Sequence, residues 1–150
     1  NKGETYETQK LALLKIRESG LRSSVMILSG LGGSKYSEQH AINSARLMNE
    51  CQPDYLSTLV VSFPMGEDRF QKGFDGQWQE LDQASLFLEL RYFIANLELD
   101  KTIFRSDHAS NYLPLKGTLG ADKVKMLEQI DKALYTPDQV QLRQEWQRGL

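Results

Sequence analysis

SSVMILSGLGGSKYSEQHA, residues 23–41, is the stretch whose reading decides the fold. Residues 25–28, VMIL, are too short a run for a helix and are bounded by Ser and Gly, which fits a buried strand. Gly30, Gly32 and Gly33 follow in a loop. Ala41, Ala45 and Met48 then recur at helical spacing, with Ser37 placed to cap a helix running to about residue 50. Strand, glycine-rich loop, helix is the order of a ligand-binding α/β unit.

The same grammar extends in both directions. Residues 6–19 read as a helix, with Tyr6, Leu13, Leu14, Ile16 and Leu21 on its apolar side and Gly20 as a stop. Residues 55–63, YLSTLVVSF, read as a second strand rich in β-branched and aromatic residues, ended by Pro64. Residues 64–80 read as a long loop. Asp82 can cap a helix to about residue 97, with Leu86, Leu90, Phe93, Ile94 and Leu97 on one face. Residues 101–108 make a short strand, and ASNYLPLKGTLG reads as an ordered loop. A helix over 122–134 carries Val124, Leu127, Ile130 and Leu134. Thr136 and Pro137 open a last helix, which Trp146 and Leu150 would pack back. The order is αβαβαβαα. Alternation of strand and helix predicts about three parallel strands with right-handed crossovers.

The chain has 150 residues, 40% apolar and 25% charged, with a net charge of −2. That suits one globular unit and gives no electrostatic case for a nucleic-acid or membrane surface. No apolar run is long enough to cross a bilayer. The polar opening NKGETYETQK does not read as a signal peptide, and it begins without Met, so the chain reads as an internal piece of a longer protein. Cys51 is the single cysteine. It offers no disulfide framework or CxxC metal motif, and cytoplasm is the expected compartment.

In parallel α/β architectures ligands bind at the carboxyl ends of the strands. The loops expected there, 29–36, 64–80 and 105–118, are the longest and richest in glycine. Backbone N–H groups of the first could approach a phosphate or an adenine edge. GLGG matches neither GxGxxG nor a P-loop, however, and a tight βα turn explains it equally well. The third loop gathers Arg105, Asp107, His108, Asn111, Tyr112 and Lys116, which could grip a carboxylate or move a proton. The plainer reading is that these groups bond their own backbone. His40, on a predicted first turn, reads as a solvated residue, and with His108 it makes no metal pair. Cys51 reads as a structural thiol. Glu67 and Asp68 read as solvated acids, and Trp78 and Trp146 as packing residues.

Three segments together, NKGETYETQKLALLKIRESGLRSSVMILSGLGG, INSARLMNECQPDYLSTLVVSFP and FRSDHASNYLPLKGTLGADKVKMLEQID, resemble the C-terminal half of a radical S-adenosylmethionine iron–sulfur oxidoreductase. The group concerned is loosely associated with the oxygen-independent coproporphyrinogen oxidases. The resemblance covers almost the whole chain, and residues 104–117 are its most specific part. It implies a partial, half TIM-like barrel. Residues up to about 100 would form the barrel portion of a single unit, and 101–150 a C-terminal extension. The predicted strands would correspond to the fifth and sixth of that barrel, and residues 1–3 would follow its fourth, near the ribose and methionine part of the cofactor.

For site residues, the family's GxIxGxxE motif aligned on Gly30 falls on Met26, Leu28, Gly30 and Gly33. Leu28 and Gly30 match; Met26 replaces the first glycine and Gly33 the acid. The resemblance therefore implies an apolar and backbone contact to adenine at Leu28 and Gly30, with Val61 as a further apolar neighbour, and no carboxylate contact from Gly33. Substrate contacts are expected at Arg105, His108, Asn111 and Lys116. The intact protein would use S-adenosylmethionine and a [4Fe–4S] cluster to make a 5′-deoxyadenosyl radical acting on a small molecule. The CxxxCxxC loop and the GGE motif are absent from this sequence, so this chain alone is expected to be inactive and to bind neither cofactor tightly. Two rival readings remain: a non-catalytic assembly module that self-associates through exposed strand edges, and a small nucleotide-binding α/β domain.

Overall fold

The apolar run at residues 25–28 forms the middle of strand β1, Ser24–Ser29. The computed structural model describes residues 3–64 and 66–148. The expectations for Asn1, Lys2 and Leu150 lie outside those residues. Helix α1, Tyr6–Glu18, precedes β1. Helix α2, Gly33–Cys51, links it to β2, Tyr55–Val60. A short helix α3, Asp68–Gly73, and the longer α4, Gln83–Ala95, lead to β3, Ile103–Ser106. Strand β4, Leu115–Thr118, and helix α5, Lys123–Tyr135, follow, and two 3-10 turns end the described chain.

The fold is α/β, an open four-stranded sheet in the order β1-β2-β3-β4. The first three strands are parallel and β4 runs antiparallel to β3. Alternation along the strands sorts side chains by face. Leu56, Thr58, Val60, Phe104, Ser106 and Leu115 point into the helix layer and are buried. That layer runs α1, α2, α4, α5, each packing on the next. Its core is built from Ala45, Met48, Phe93, Ile94, Met126 and Ile130. The opposite face carries Met26, 59% exposed, with Leu28 and Ile103, each 37% exposed. No element among the described residues covers it.

Several expectations need correction. Residues 64–80 are not simply a loop, because α3 forms within them. Residues 115–118, expected in a loop, pair with β3 as β4. Strand β2 ends at Val60 rather than Phe63. Ser37 does not cap α2: the helix begins at Gly33, and Thr5 supplies the reciprocal cap of α1 instead. Leu21 and Val124 are exposed, at 66% and 68%. The expected final helix is only the 3-10 turns Pro137–Gln139 and Glu145–Gln147, in which Thr136 makes no side-chain cap. Trp146 is 82% exposed and packs nothing back. Among the described residues no helix is long and apolar enough to cross a membrane.

Candidate functional site

The carboxyl ends of β1 and β2 lie side by side, since Ser29 pairs with Val60 and the Val61 N–H donates to the Ser29 carbonyl at 2.9 Å. Gly30 follows, and a Cβ on it would stand 3.5 Å from Val61 Cγ1 and 3.3 Å from Leu86 Cδ2. Gly30 and Val61, expected together, are neighbours. Leu28 sits two residues before Gly30, on the open face. The Gly30 N–H is already committed, donating to Glu89 Oε1 at 2.7 Å, and its carbonyl accepts from the Gly33 N–H. An adenine contact at Gly30 is thereby limited to its Cα and the remaining carbonyl lone pair.

The turn after β1 is shaped by packing. Gly33 has φ +57°, and a Cβ there would lie 2.7 Å from Trp78 Cδ1. Trp78 is buried, with Phe63 and Phe70 meeting it edge-on. The glycine therefore serves a close approach between the loop and the 64–80 segment.

The carboxylate absent at Gly33 is present near this loop from another element. Glu89 of α4 is only 3% exposed. Its Oε2 accepts from the Ser37 hydroxyl at 2.7 Å, and His40 Nδ1 lies 3.6 Å from Oε1. His40 is thus half-buried against Glu89, not a solvated side chain. Glu89 went unnoticed in the sequence although the signal was there: it interrupts the apolar face set by Leu86, Leu90 and Phe93, and a charge at such a position needs partners.

The 107–112 loop does two different things. Asn111 is buried and spends its amide inside the protein. Its Oδ1 accepts from the Val60 N–H, and its Nδ2 donates to the Thr58 carbonyl and to Ser106 Oγ. Thr58 and Ser106 complete this network through a 2.8 Å hydroxyl bond. Asn111 therefore ties β2 to the loop. His108 is fixed as well: its Nδ1 accepts from the Ser110 N–H at 3.1 Å and lies 2.8 Å from Ser110 Oγ. The neutral ring consequently carries its proton on Nε2.

Arg105 and Lys116 lie on the open face, directly paired across β3 and β4. Arg105, with Asp107 and His108, borders a cavity of about 300 Å³ over that face. A second, mostly apolar cavity of about 620 Å³ follows the free edge of β1 between Tyr6, Leu28, Tyr36 and Phe74. Met26 lines both.

Two arginines unnoticed in the sequence hold the loop. Arg143 donates to the carbonyls of Asp107, His108 and Asn111, and Arg148 to that of Ser110. Arg148 also stacks 3.8 Å over the Tyr112 ring. Burial, then the hydrogen bond to Glu145, pushes the Tyr112 phenol up to about 12.

The side chains present do not fit an iron–sulfur cluster. Cys51 is the chain's one cysteine and is buried, where burial pushes its thiol up. Among the described residues no three His, Cys, Asp or Glu side chains are grouped to hold a metal. Compared with protein-family models, curated proteins and solved structures, the chain gives no match.

Proposed function

We propose that this chain is the C-terminal part of a radical S-adenosylmethionine enzyme, and that its open sheet face is a wall of the ligand chamber. The observation that carries the reading is the winding. Strands β1, β2 and β3 succeed one another in sequence order, and α2 and α4 both return on the same face. A doubly wound sheet reverses its order and places helices on both faces; a barrel wall does neither. In a half TIM-like barrel the bare face looks inward.

On this reading Leu28 supplies an apolar surface for adenine, and Gly30 keeps that corner narrow between Val61 and Leu86. Arg105, His108 and Lys116 face the substrate, and Asn111 holds their loop in place. The reductive chemistry belongs to a cluster and cofactor that this chain's residues do not hold, so the cysteines would come from elsewhere in the intact protein.

The test is the coding sequence around this segment. A CxxxCxxC motif upstream at the distance of a first barrel strand is the expected finding. A complete gene product that begins near Asn1 would remove the catalytic claim and favour an assembly module, paired through the free edge of β1.

A further inference from the structure

The open face has an unusual charge arrangement. Met26, Ser57, Arg105 and Lys116 form one continuous row across all four strands. Arg105 and Lys116 are direct cross-strand partners, and like charges so placed repel. Asp107 approaches Arg105 at 4.0 Å and offsets one of the two cations. Lys116 forms no ion pair among the described residues. With its Nδ1 accepting from the Ser110 N–H, His108 adds an Nε2–H at the border of the same cavity. The β1 end of the face is apolar, with Met26 and Leu28 exposed and Leu59 half-buried beside them. Strand spacing puts about 14 Å between the β1 and β4 ends of the row.

We infer that the open face binds a small amphipathic carboxylate, its charged group between Arg105 and Lys116 and its apolar body across Met26 and Leu59. This rests on the reading of the face as a chamber wall and adds the class of substrate. A carboxylate between the two cations relieves their repulsion and accepts charge-assisted hydrogen bonds from both. An uncharged ligand would leave the repulsion in place. A cationic ligand would add to it.

Octanoate is a suitable probe, with octan-1-ol as its uncharged counterpart, followed through the methyl resonance of Met26 in chain labelled at Met. Octanoate should shift that resonance saturably, and octan-1-ol should bind at least tenfold more weakly. The double variant Arg105→Gln, Lys116→Gln should weaken octanoate at least tenfold and leave octan-1-ol unchanged. Both side chains are exposed, so the fold is retained, which the unchanged resonances of the buried Met48 and Met126 would verify. Equal affinity for acid and alcohol, an unaltered affinity in the variant, or no saturable shift overturns the inference. Cleavage of S-adenosylmethionine by the intact protein without carboxylate binding here would sink this inference alone. Carboxylate binding without that cleavage would sink only the radical reading.

Discussion

Glu89 Oε1 accepts the Gly30 N–H at 2.7 Å, so a carboxylate from the middle of α4 fixes the first residue after β1. The other oxygen accepts from Ser37 of α2, which ties strand end, loop and two helices to one buried group. In Glu89→Gln one carboxylate oxygen becomes an NH2 group, which cannot accept either bond. One buried donor then loses its partner, at a cost of about 1–3 kcal/mol. Urea unfolding should show a lower midpoint with an unchanged slope. An unaltered midpoint would mean that the bonds are not made in solution.

Asn111→Ala tests whether that residue is structural. Its amide serves two backbone groups of β2 and a buried hydroxyl, while Ser110 Oγ gives the Val60 N–H a second acceptor at 3.1 Å. The loss should be about 2 kcal/mol, mostly from the Thr58 carbonyl and Ser106. A variant as stable as the parent would reassign Asn111 to ligand contact.

Gly117 is where β4 meets α5. A Cβ there would lie 2.6 Å from Met126 Cε and 2.8 Å from Asp122 Cβ. Gly117→Ala must push α5 outward or force Met126 from its rotamer, at about 1–3 kcal/mol. Calorimetric melting should register it as a lower Tm; a Tm equal to that of the parent would show that α5 packs elsewhere.

Glu50 sets an acid limit on the α1–α2 contact. Lys10 at 2.6 Å, then Arg46 at 3.1 Å, hold its carboxyl at about 2, below its ordinary 4.5. A depressed folded-state value contributes stability that is full above 4.5 and lost as pH falls towards 2. Carbon NMR titration of Glu50 should place its midpoint near 2, and Lys10→Met should move it upward. A midpoint of 4.5 in the parent chain would dissolve the ion pair.

The sequence was most legible where burial and periodicity agree. Leu86, Leu90, Phe93, Ile94 and Leu97 repeat at helical spacing, and all are buried as that pattern requires. Residues 25–28 lie in a strand as expected, but not a buried one: Met26 and Leu28 are exposed and Val25 and Ile27 only partly buried, because helices cover one face of the sheet alone. β4 was hidden because LKGT contains Lys and Gly, poor strand formers, and is stabilised by its partner β3. Trp146 and Val124 misled because an apolar side chain alone does not say which face is covered. At the site, Leu28, Gly30 and Val61 were named through the family resemblance, and the structure places Gly30 beside Val61 at the ends of β1 and β2. Glu89, Ser110, Arg143 and Arg148 were not legible, since each is tied to the site by a bond to a residue between 35 and 59 positions away.

The central claim is tested most directly by the full product of the gene that encodes this chain, reconstituted anaerobically with iron and sulfide and given S-adenosylmethionine and dithionite. The account expects 5′-deoxyadenosine to form, and to fall at least tenfold when the exposed Leu28 is changed to Asp. No 5′-deoxyadenosine from the reconstituted protein, or the same yield from Leu28→Asp, would contradict it.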